Sequence, residues 1–445
     1  MDYKKRVEEL KDEMIDSIIK VVNIPSVKDE NSKEYPYGED IDKALKKTLE
    51  ICESLGFKTH YDEEGYYGYA EIGEGEEMLG ILGHLDVVPA GEITNWNSDP
   101  FNAEIREGKL YGRGTQDDKG PTLAAIYAVK ALMDSGVKFN KRIRFIFGTD
   151  EENLWGGISK YMDNEEIPTF GFTPDAEFPM IHAEKGLLQA KLVSDVGSDV
   201  NLSSGNAFNA VPDKSKYNGK DKGELKKELD KLGFEYEEDE ESIYVIGKGA
   251  HASQPHNGIN AIARLCIALD NIGINSKAIK FIAEVVGEDY NGKNIFGNCE
   301  DEPSGKITFN IGMINLDKNM EEVSVDIRIP VTKEKSDIVE NIKEKIKDYD
   351  LKYEEFDYLD SLYVPKDHEL IKTLRKVYEE ETELDSTPLV IGGATYARSM
   401  DNCVAFGAIF PGQEKVEHQA NEYIEVDRLM DVTKIYAKAV YELTR

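Results

Sequence analysis

The stretch "EMLGILGHLDVVP", residues 77–89, is a nearly continuous apolar run that closes on His84 and Asp86. Such a run reads as a strand buried on both faces, the kind that parallel sheets use. Downstream, "TLAAIYAVKALMDSG" (122–136) is apolar on nearly every side and reads as a central helix, with Pro121 suited to its first turn. "RIRFIFGTDEE" (142–152) is a second buried strand, this one ending in carboxylates. Upstream, "IDKALKKTLEICESLGF" (41–57) reads as a helix stopped at Gly56. Strand and helix alternate, so the first third predicts an α/β fold, a mostly parallel sheet with helices on both sides.

The texture changes after about residue 186. "KITFNIGMI" (306–314) and "EEVSVDIRIP" (321–330) alternate apolar and polar, which predicts a sheet with one wet face. Two segments echo each other. "KGELKKELDKLGFEYEEDEESIYVI" (222–246) and "SDIVENIKEKIKDYDLKYEEFDYLDSLYV" (336–364) both read helix, strand, strand, and share "YEE". Duplication and chance explain this echo equally well. "LVIGGATYARSM" (389–400) then restores the glycine-flanked strand-to-helix pattern, and "DRLMDVTKIYAKAVYEL" (427–443) closes as a helix. The expected organisation is an α/β domain in two parts, 1–185 and 363–445, interrupted by an inserted α+β domain over 186–362.

Size and composition agree. At 445 residues the chain is too long for one core. Its charge is 54 minus 87, or −33, which argues against nucleic acid or an anionic membrane as partner. A solvated surface that resists association explains most of that excess; salt or temperature adaptation are equally open reasons for it. Cys52, Cys266, Cys299 and Cys403 are far apart without CxxC spacing, as expected of reduced thiols in a cytoplasmic protein. The N-terminal 22 residues read as a helix with Val7, Leu10, Met14 and Ile18 on one stripe. They lack a signal-peptide core, and no run of about 18 apolar residues exists to span a membrane.

The seven histidines are few enough for their neighbourhoods to be informative. His84 and Asp86 stand two apart at a strand end, so both side chains point the same way. Asp86 could fix the imidazole of a metal-binding His84, or the pair could be a structural contact. "GTDEENLWGG" (148–157) places Asp150, Glu151 and Glu152 after a strand, where open α/β sheets bind ligands. "FTPDAEFP" (172–179) adds Asp175, and "VEHQANE" (416–422) adds His418. Histidines with mixed carboxylates and no cysteine suit zinc, cobalt or manganese. Two metals close together need a bridging ligand, and a carboxylate has the lone pairs for it. Other motifs fail: "YGRGTQ" lacks the third glycine of GxGxxG, "DDKGPT" is no P-loop, and there is no GxSxG elbow.

In order, "GHLDVVP", "GRGTQDDKG", "GTDEE", "TPDAEFP", "GKGAHASQPHNGINA", "DIRIP", "GGATYAR" and "EHQANE" resemble the aminoacylase/carboxypeptidase/carnosinase superfamily of metallopeptidases with two metal ions, and within it the PepV-type dipeptidases. The resemblance runs from "NIPSV" (23–27) to near the C-terminus. It implies a zinc-exopeptidase-type catalytic domain with an inserted lid of two related halves. It implies that His84 and Asp175 bind one metal and Glu152 and His418 the other, with Asp117 bridging them. Asp86 would orient His84, and Glu151 would be the general base acting on a metal-bridging hydroxide. His251 of the lid would serve the oxyanion. Asn209, Arg328, Gly392, Gly393 and Arg398 would meet the substrate, although an arginine there could instead anchor the lid through a carboxylate pair. Asp118 would point elsewhere, into hydrogen bonds or toward Lys119, and the Asp117–Asp118 peptide would be cis.

The implied activity is hydrolysis of short unblocked peptides, chiefly dipeptides, by a monomeric cytoplasmic enzyme with two divalent metals, zinc first and manganese or cobalt as alternatives. An N-acyl-amino-acid amidohydrolase, of aminoacylase or desuccinylase type, would use the same metals and base. A non-catalytic metal-binding protein would have no use for Glu151 beside a complete ligand set.

Overall fold

The computed structural model describes residues 3–445, and the chain divides into two compact units. One comprises the chain up to His182 together with Val364–Leu389 and Ala394–Arg445; the other comprises Ala183–Tyr363 and Val390–Gly393. The tetrapeptide Val390–Gly393 thus belongs with the second unit, although the sequence placed all of 363–445 in the first. A backbone bond explains it, because Ile391 O accepts from Lys185 N–H.

In the first unit the apolar runs form the centre of a sheet. Its strands lie in the order Lys58–Tyr61, Gly68–Ile72, Arg142–Gly148, Met78–His84, Phe170–Thr173, Cys403–Ala405 and Ile181–Glu184. Arg142–Gly148 through Cys403–Ala405 run parallel, and the flanking pairs are antiparallel. The sheet is therefore mixed, and the mostly parallel character expected from the sequence is confined to its four central strands. Every residue of Met78–His84 is buried, as its unbroken apolar run requires. Helix Lys119–Asp134 makes the crossover from this strand to Arg142–Gly148 and packs against Lys11–Val22 and Val426–Thr444. It is buried on almost all sides, which is why it shows no polar stripe. The N-terminal helix is interrupted at Leu10, yet Val7, Leu10, Met14 and Ile18 are all buried.

The second unit has an antiparallel sheet in the order Leu202–Ser204, Thr308–Leu316, Glu321–Ile329, Gly186–Ser194, Lys352–Leu359. A smaller sheet orders Lys214–Tyr217, Ile243–Ile246 and Tyr236–Glu238. Both echoing segments do fold as helix, strand, strand, but their pairing differs. Tyr236–Glu238 and Ile243–Ile246 pair with each other, whereas Lys352–Leu359 pairs with Gly186–Ser194.

The expected wet face is also absent from strands Thr308–Leu316 and Glu321–Ile329. Thr308, Asn310, Ser324, Asp326 and Arg328 are buried although polar. The segment 207–211 lies over Asn310, whose Nδ2 donates to Phe208 O and Ala210 O at 3.2 and 2.8 Å. A side chain at Gly312 would meet Ala207 O at 2.4 Å, so glycine is what allows this close approach. No helix among the described residues is long and apolar enough to cross a membrane. The four cysteines are free thiols.

Candidate active site

Three parallel strands deliver side chains at their carboxyl ends, the edge where open α/β sheets bind ligands. Met78–His84 ends on His84, Arg142–Gly148 is followed by Asp150–Glu152, and Phe170–Thr173 is followed by Asp175. Asp117 reaches the same place from the glycine-containing loop before helix Lys119–Asp134, with Gly112 and Gly114 at φ +156° and +93°. His418 comes from the 414–423 segment at φ +62°.

Asp117 is the hub. Its Oδ1 lies 2.9 Å from His84 Nε2, and its Oδ2 lies 3.1 Å from His418 Nε2. His84 Nε2 is also 3.7 Å from Asp175 Oδ2, and His418 Nε2 is 3.1 Å from Glu152 Oε2. Candidate ligand atoms of His84, Asp117 and Glu152, and of His84, Glu151 and Asp175, lie within 4.8 Å of one another. All seven residues expected of the first domain's site are thus brought together: His84, Asp86, Asp117, Glu151, Glu152, Asp175 and His418.

The donor set fits divalent cations. His84 Nδ1 donates to Asp86 O at 2.9 Å, which fixes the tautomer and turns the Nε2 lone pair toward Asp117 Oδ1. Two acceptors cannot face each other at that distance without a proton or a cation between them. Protein charges alone leave the cluster unbalanced. Burial opposes a charge on His84, but its bonds to Asp117 and Asp86 outweigh burial and hold the imidazole well above its ordinary range. Hydrogen bonds to Asp117 and Glu152 push His418 up to about 10. Burial would raise Asp117, yet the two imidazoles hold its carboxyl well below the usual carboxylate range. Burial, with Asp117 adding its charge, pushes Asp175 well up, and burial with Glu152 and Asp117 does the same to Glu151. Among the described residues, the ion partners of Asp117, Glu152 and Asp175 are imidazoles alone. Bound cations would reverse this crowding of carboxylates.

Asp86 does more than expected. The main-chain carbonyl, not the carboxylate, takes the His84 hydrogen bond, and the nearer carboxylate oxygen is 3.6 Å from Nδ1. The carboxylate instead accepts from Glu151 N and Glu152 N, each at 3.1 Å. It therefore fixes the turn that sends these adjacent glutamates on their separate paths. Asp118 turns inward and its Oδ2 accepts from Thr122 Oγ1 at 2.7 Å. Lys119 is buried and donates to Val21 O and Ile24 O, so it does not balance Asp118. The Asp117–Asp118 peptide is cis.

The second unit gathers its own group of expected residues. Ala210, next to Asn209, pairs with His251, and Asn209 O accepts from Ala252 N. Ser253 N–H donates to His251 Nδ1 at 3.2 Å. A main-chain N–H can only donate, so the neutral ring carries its proton on Nε2. Burial and the Arg328 charge hold His251 below its ordinary value, which favours that neutral form. Arg328, expected to meet the substrate, is engaged by groups of its own unit. It is 2% exposed, bonds Asp326 through Nε and Nη2 at 2.7 and 2.9 Å, and donates through Nη1 to Gly392 O. Its carboxylate partner lies two residues away on its own strand, Glu321–Ile329. Gly392 in turn packs on Ser253, whose Cβ a side chain there would meet at 2.7 Å. Arg398 lies in the first unit on the short helix Tyr396–Ser399, and Gly393 follows Gly392 in the second.

Three residues that organise the site escaped sequence reasoning. Glu422 and Gln116 sit inside quoted motifs but, in so acidic a chain, one more glutamate carries no signal. Tyr396 is fully buried, edge-on to the His84 ring at 6.2 Å. A glycine at 148 is what makes room for it, since a side chain there would meet its hydroxyl at 2.3 Å.

Fold and site together define a class. Residues 80–442 match the model of Peptidase family M20/M25/M40; the chain belongs to that family and is an enzyme, a metallopeptidase. Over 469 residues it is 38% identical to "Putative dipeptidase YtjP" of Bacillus subtilis (strain 168), with 100% of both chains covered. Among solved structures it resembles the aminoacylhistidine dipeptidase from Vibrio alginolyticus, with a TM-score of 0.63 and 13% identity, covering 97% of this chain and 96% of that one. It also resembles human carnosine dipeptidase 1, with a TM-score of 0.61 and 15% identity over 99% and 98% of the two chains. At those identities the two structures speak for the fold.

Proposed function

We propose that this protein is a dipeptidase that holds two divalent metal ions and hydrolyses the peptide bond of short unblocked peptides. The observation that carries the metal reading is Asp117, whose two oxygens face two different imidazoles at 2.9 and 3.1 Å. The dipeptidase reading rests on full-length likeness to a relative that bears that name. His84 and Asp175 would hold one ion, Glu152 and His418 the other, with Asp117 shared between them. Zinc suits these nitrogen and oxygen donors, as do manganese and cobalt. When bound, the two ions supply Lewis acidity to a carbonyl oxygen and lower the proton affinity of water.

The chain's own residues supply the rest. Glu151 takes a proton from the attacking water and passes it to the leaving amine, the usual work of a raised carboxyl near the reacting atoms. Asp86 keeps Glu151 and Glu152 aimed apart through their main-chain N–H groups. His251 offers an Nε2 proton to the oxyanion, with its tautomer set by Ser253. Asn209, Gly392 and Gly393 line the substrate, Arg398 takes the free carboxylate, and Arg328 acts through Gly392. The enzyme works as a cytoplasmic monomer.

A panel of free dipeptides assayed beside N-acetyl and N-succinyl amino acids tests the reading. Dipeptide hydrolysis should vanish on chelation and return with zinc, manganese or cobalt. Robust deacylation without dipeptide cleavage would assign the protein to the amidohydrolases instead. Sedimentation should give a single-chain mass.

A further inference from the structure

We propose that Glu422 and Gln116 form a clasp that sets the spacing between Asp117 and His418, and so chiefly the affinity of the metal position that takes both of them. They are positioning residues, and the inference rests on the two-metal reading of the site.

Glu422 is fully buried. Its Oε1 accepts from the main-chain N–H groups of Gly114, Gln116 and Asp117 at 3.0, 2.9 and 3.3 Å. Its Oε2 takes Arg113 Nη1 at 2.6 Å, and its main-chain oxygen accepts from Gly112 N at 3.0 Å. One side chain thus gathers the backbone of the loop that ends on Asp117. Gln116 answers from the other side. Its Oε1 accepts from Val416 N and Glu417 N at 2.8 and 3.1 Å, next to His418. Its Nε2 donates to Glu414 O and Tyr423 O at 3.3 and 3.4 Å.

These bonds join segments about 300 residues apart. The loop holds itself through Thr115, whose N and Oγ1 both donate to Gly112 O. It is tied outward by Arg113 N to Pro100 O and Gly120 N to Gly114 O. The N–H groups of Gly114, Gln116 and Asp117, however, depend on Glu422. Without Glu422, three buried N–H groups would lack their acceptor, and the peptide that aims Asp117 would reorient. Stability alone gives no reason for a buried ion pair here, because well-packed apolar residues usually serve stability as well or better. Aim is the better reason. A carboxylate can collect several converging N–H groups, and an apolar side chain cannot.

The clasp acts unequally on the two positions. The position of His84 and Asp175 draws two ligands from sheet strands and only the shared Asp117 from the clasped segments, whereas the other position draws both Asp117 and His418 from them. Loosening the clasp therefore weakens the position of Glu152 and His418 more than that of His84 and Asp175. Outer hydrogen-bond partners of ligands typically change metal affinity by about 10–100-fold.

The test uses the full-length protein stripped of metal, titrated with zinc by calorimetry and with cobalt by visible absorption. Glu422→Gln keeps the shape but loses the charge facing Arg113. Gln116→Met keeps the length but removes all four bonds to 414–423, and it decides the matter if Glu422→Gln does not fold. The natural chain should take two ions. Each folded variant should bind the ion at Glu152 and His418 about 10–100-fold more weakly. The ion at His84 and Asp175, which shares only Asp117 with the clasp, should weaken by a smaller factor, with the larger change in cobalt spectrum for the first ion. Two unchanged affinities in Gln116→Met, or equal loss at both positions, would overturn the clasp. A natural chain that binds no divalent metal would overturn the site reading as well. Because the readout is metal uptake, absence of dipeptidase activity would leave this result standing.

Discussion

At the scale of single residues, neighbouring groups of the same type have been given different work by their surroundings. Glu151 and Glu152 are adjacent, yet Glu152 meets His418 at 3.1 Å, while Glu151 stands by His84 in a group whose ligand atoms lie within 4.8 Å of one another. Glu151→Gln should leave metal uptake intact and lower kcat by about 10²–10⁴. Steady-state kinetics on a metal-quantified sample checks it, and unchanged turnover would remove Glu151 from the base role. His251 has a different signature. His251→Ala should cost about 10²–10³ in kcat with KM little altered, the pattern of a donor that acts on the transition state. The sequence displayed most of these residues, because histidine is scarce in this chain and carboxylates after apolar strands stand out. It did not display the division of labour within Asp86, whose carbonyl holds His84 while its carboxylate holds the next loop. Sequence gives a residue's type and leaves open which of its atoms does the work.

At the scale of elements, the strand Met78–His84 and the helix Lys119–Asp134 form the frame of the site. Their contact is close enough to need glycine. A side chain at 83 would meet Thr122 Oγ1 at 2.0 Å and Asp118 Oδ2 at 3.1 Å. Gly83→Ala should therefore lower stability by about 1–3 kcal/mol through overpacking, seen as a lower urea midpoint with the slope unchanged. It should also disturb Asp117 through its neighbour, so metal affinity falls with it. Periodicity made these elements legible: an unbroken apolar run gave a doubly buried strand, and an all-round apolar pattern gave a central helix. The same reasoning failed for Thr308–Leu316 and Glu321–Ile329. Alternation there is real, but its polar residues are buried, with 207–211 lying over Asn310 and Arg328 paired with Asp326. Periodicity reports the polarity of a face, and polarity does not say whether water or protein covers it.

For the whole molecule, cation binding and stability are linked. Ions that bind the folded chain stabilise it, by about 2.7 kcal/mol per site at 100 times Kd. Chelation should lower the thermal midpoint, and readdition of zinc should restore it. A midpoint indifferent to chelator would count against resident metals. The rest of the acidic excess, −33 in all, lies outside this cluster and should keep the protein soluble at high concentration.

The sequence by itself determined the α/β pattern, the change of texture near residue 186, and the residues that meet in the site. Local periodicity encodes the first two and scarce histidines mark His84 and His418, whereas Asp117 and the role of each residue follow from the resemblance that the ordered motifs carry. Tertiary structure alone decided the sheet's mixed strand directions, the different pairing of the two echoing segments, and the commitment of Arg328 to Asp326 and Gly392. It alone made Glu422 the acceptor for a loop some 300 residues away. Such facts depend on which distant groups are buried together. A buried N–H must find an acceptor wherever the fold supplies one, and that choice leaves no local trace.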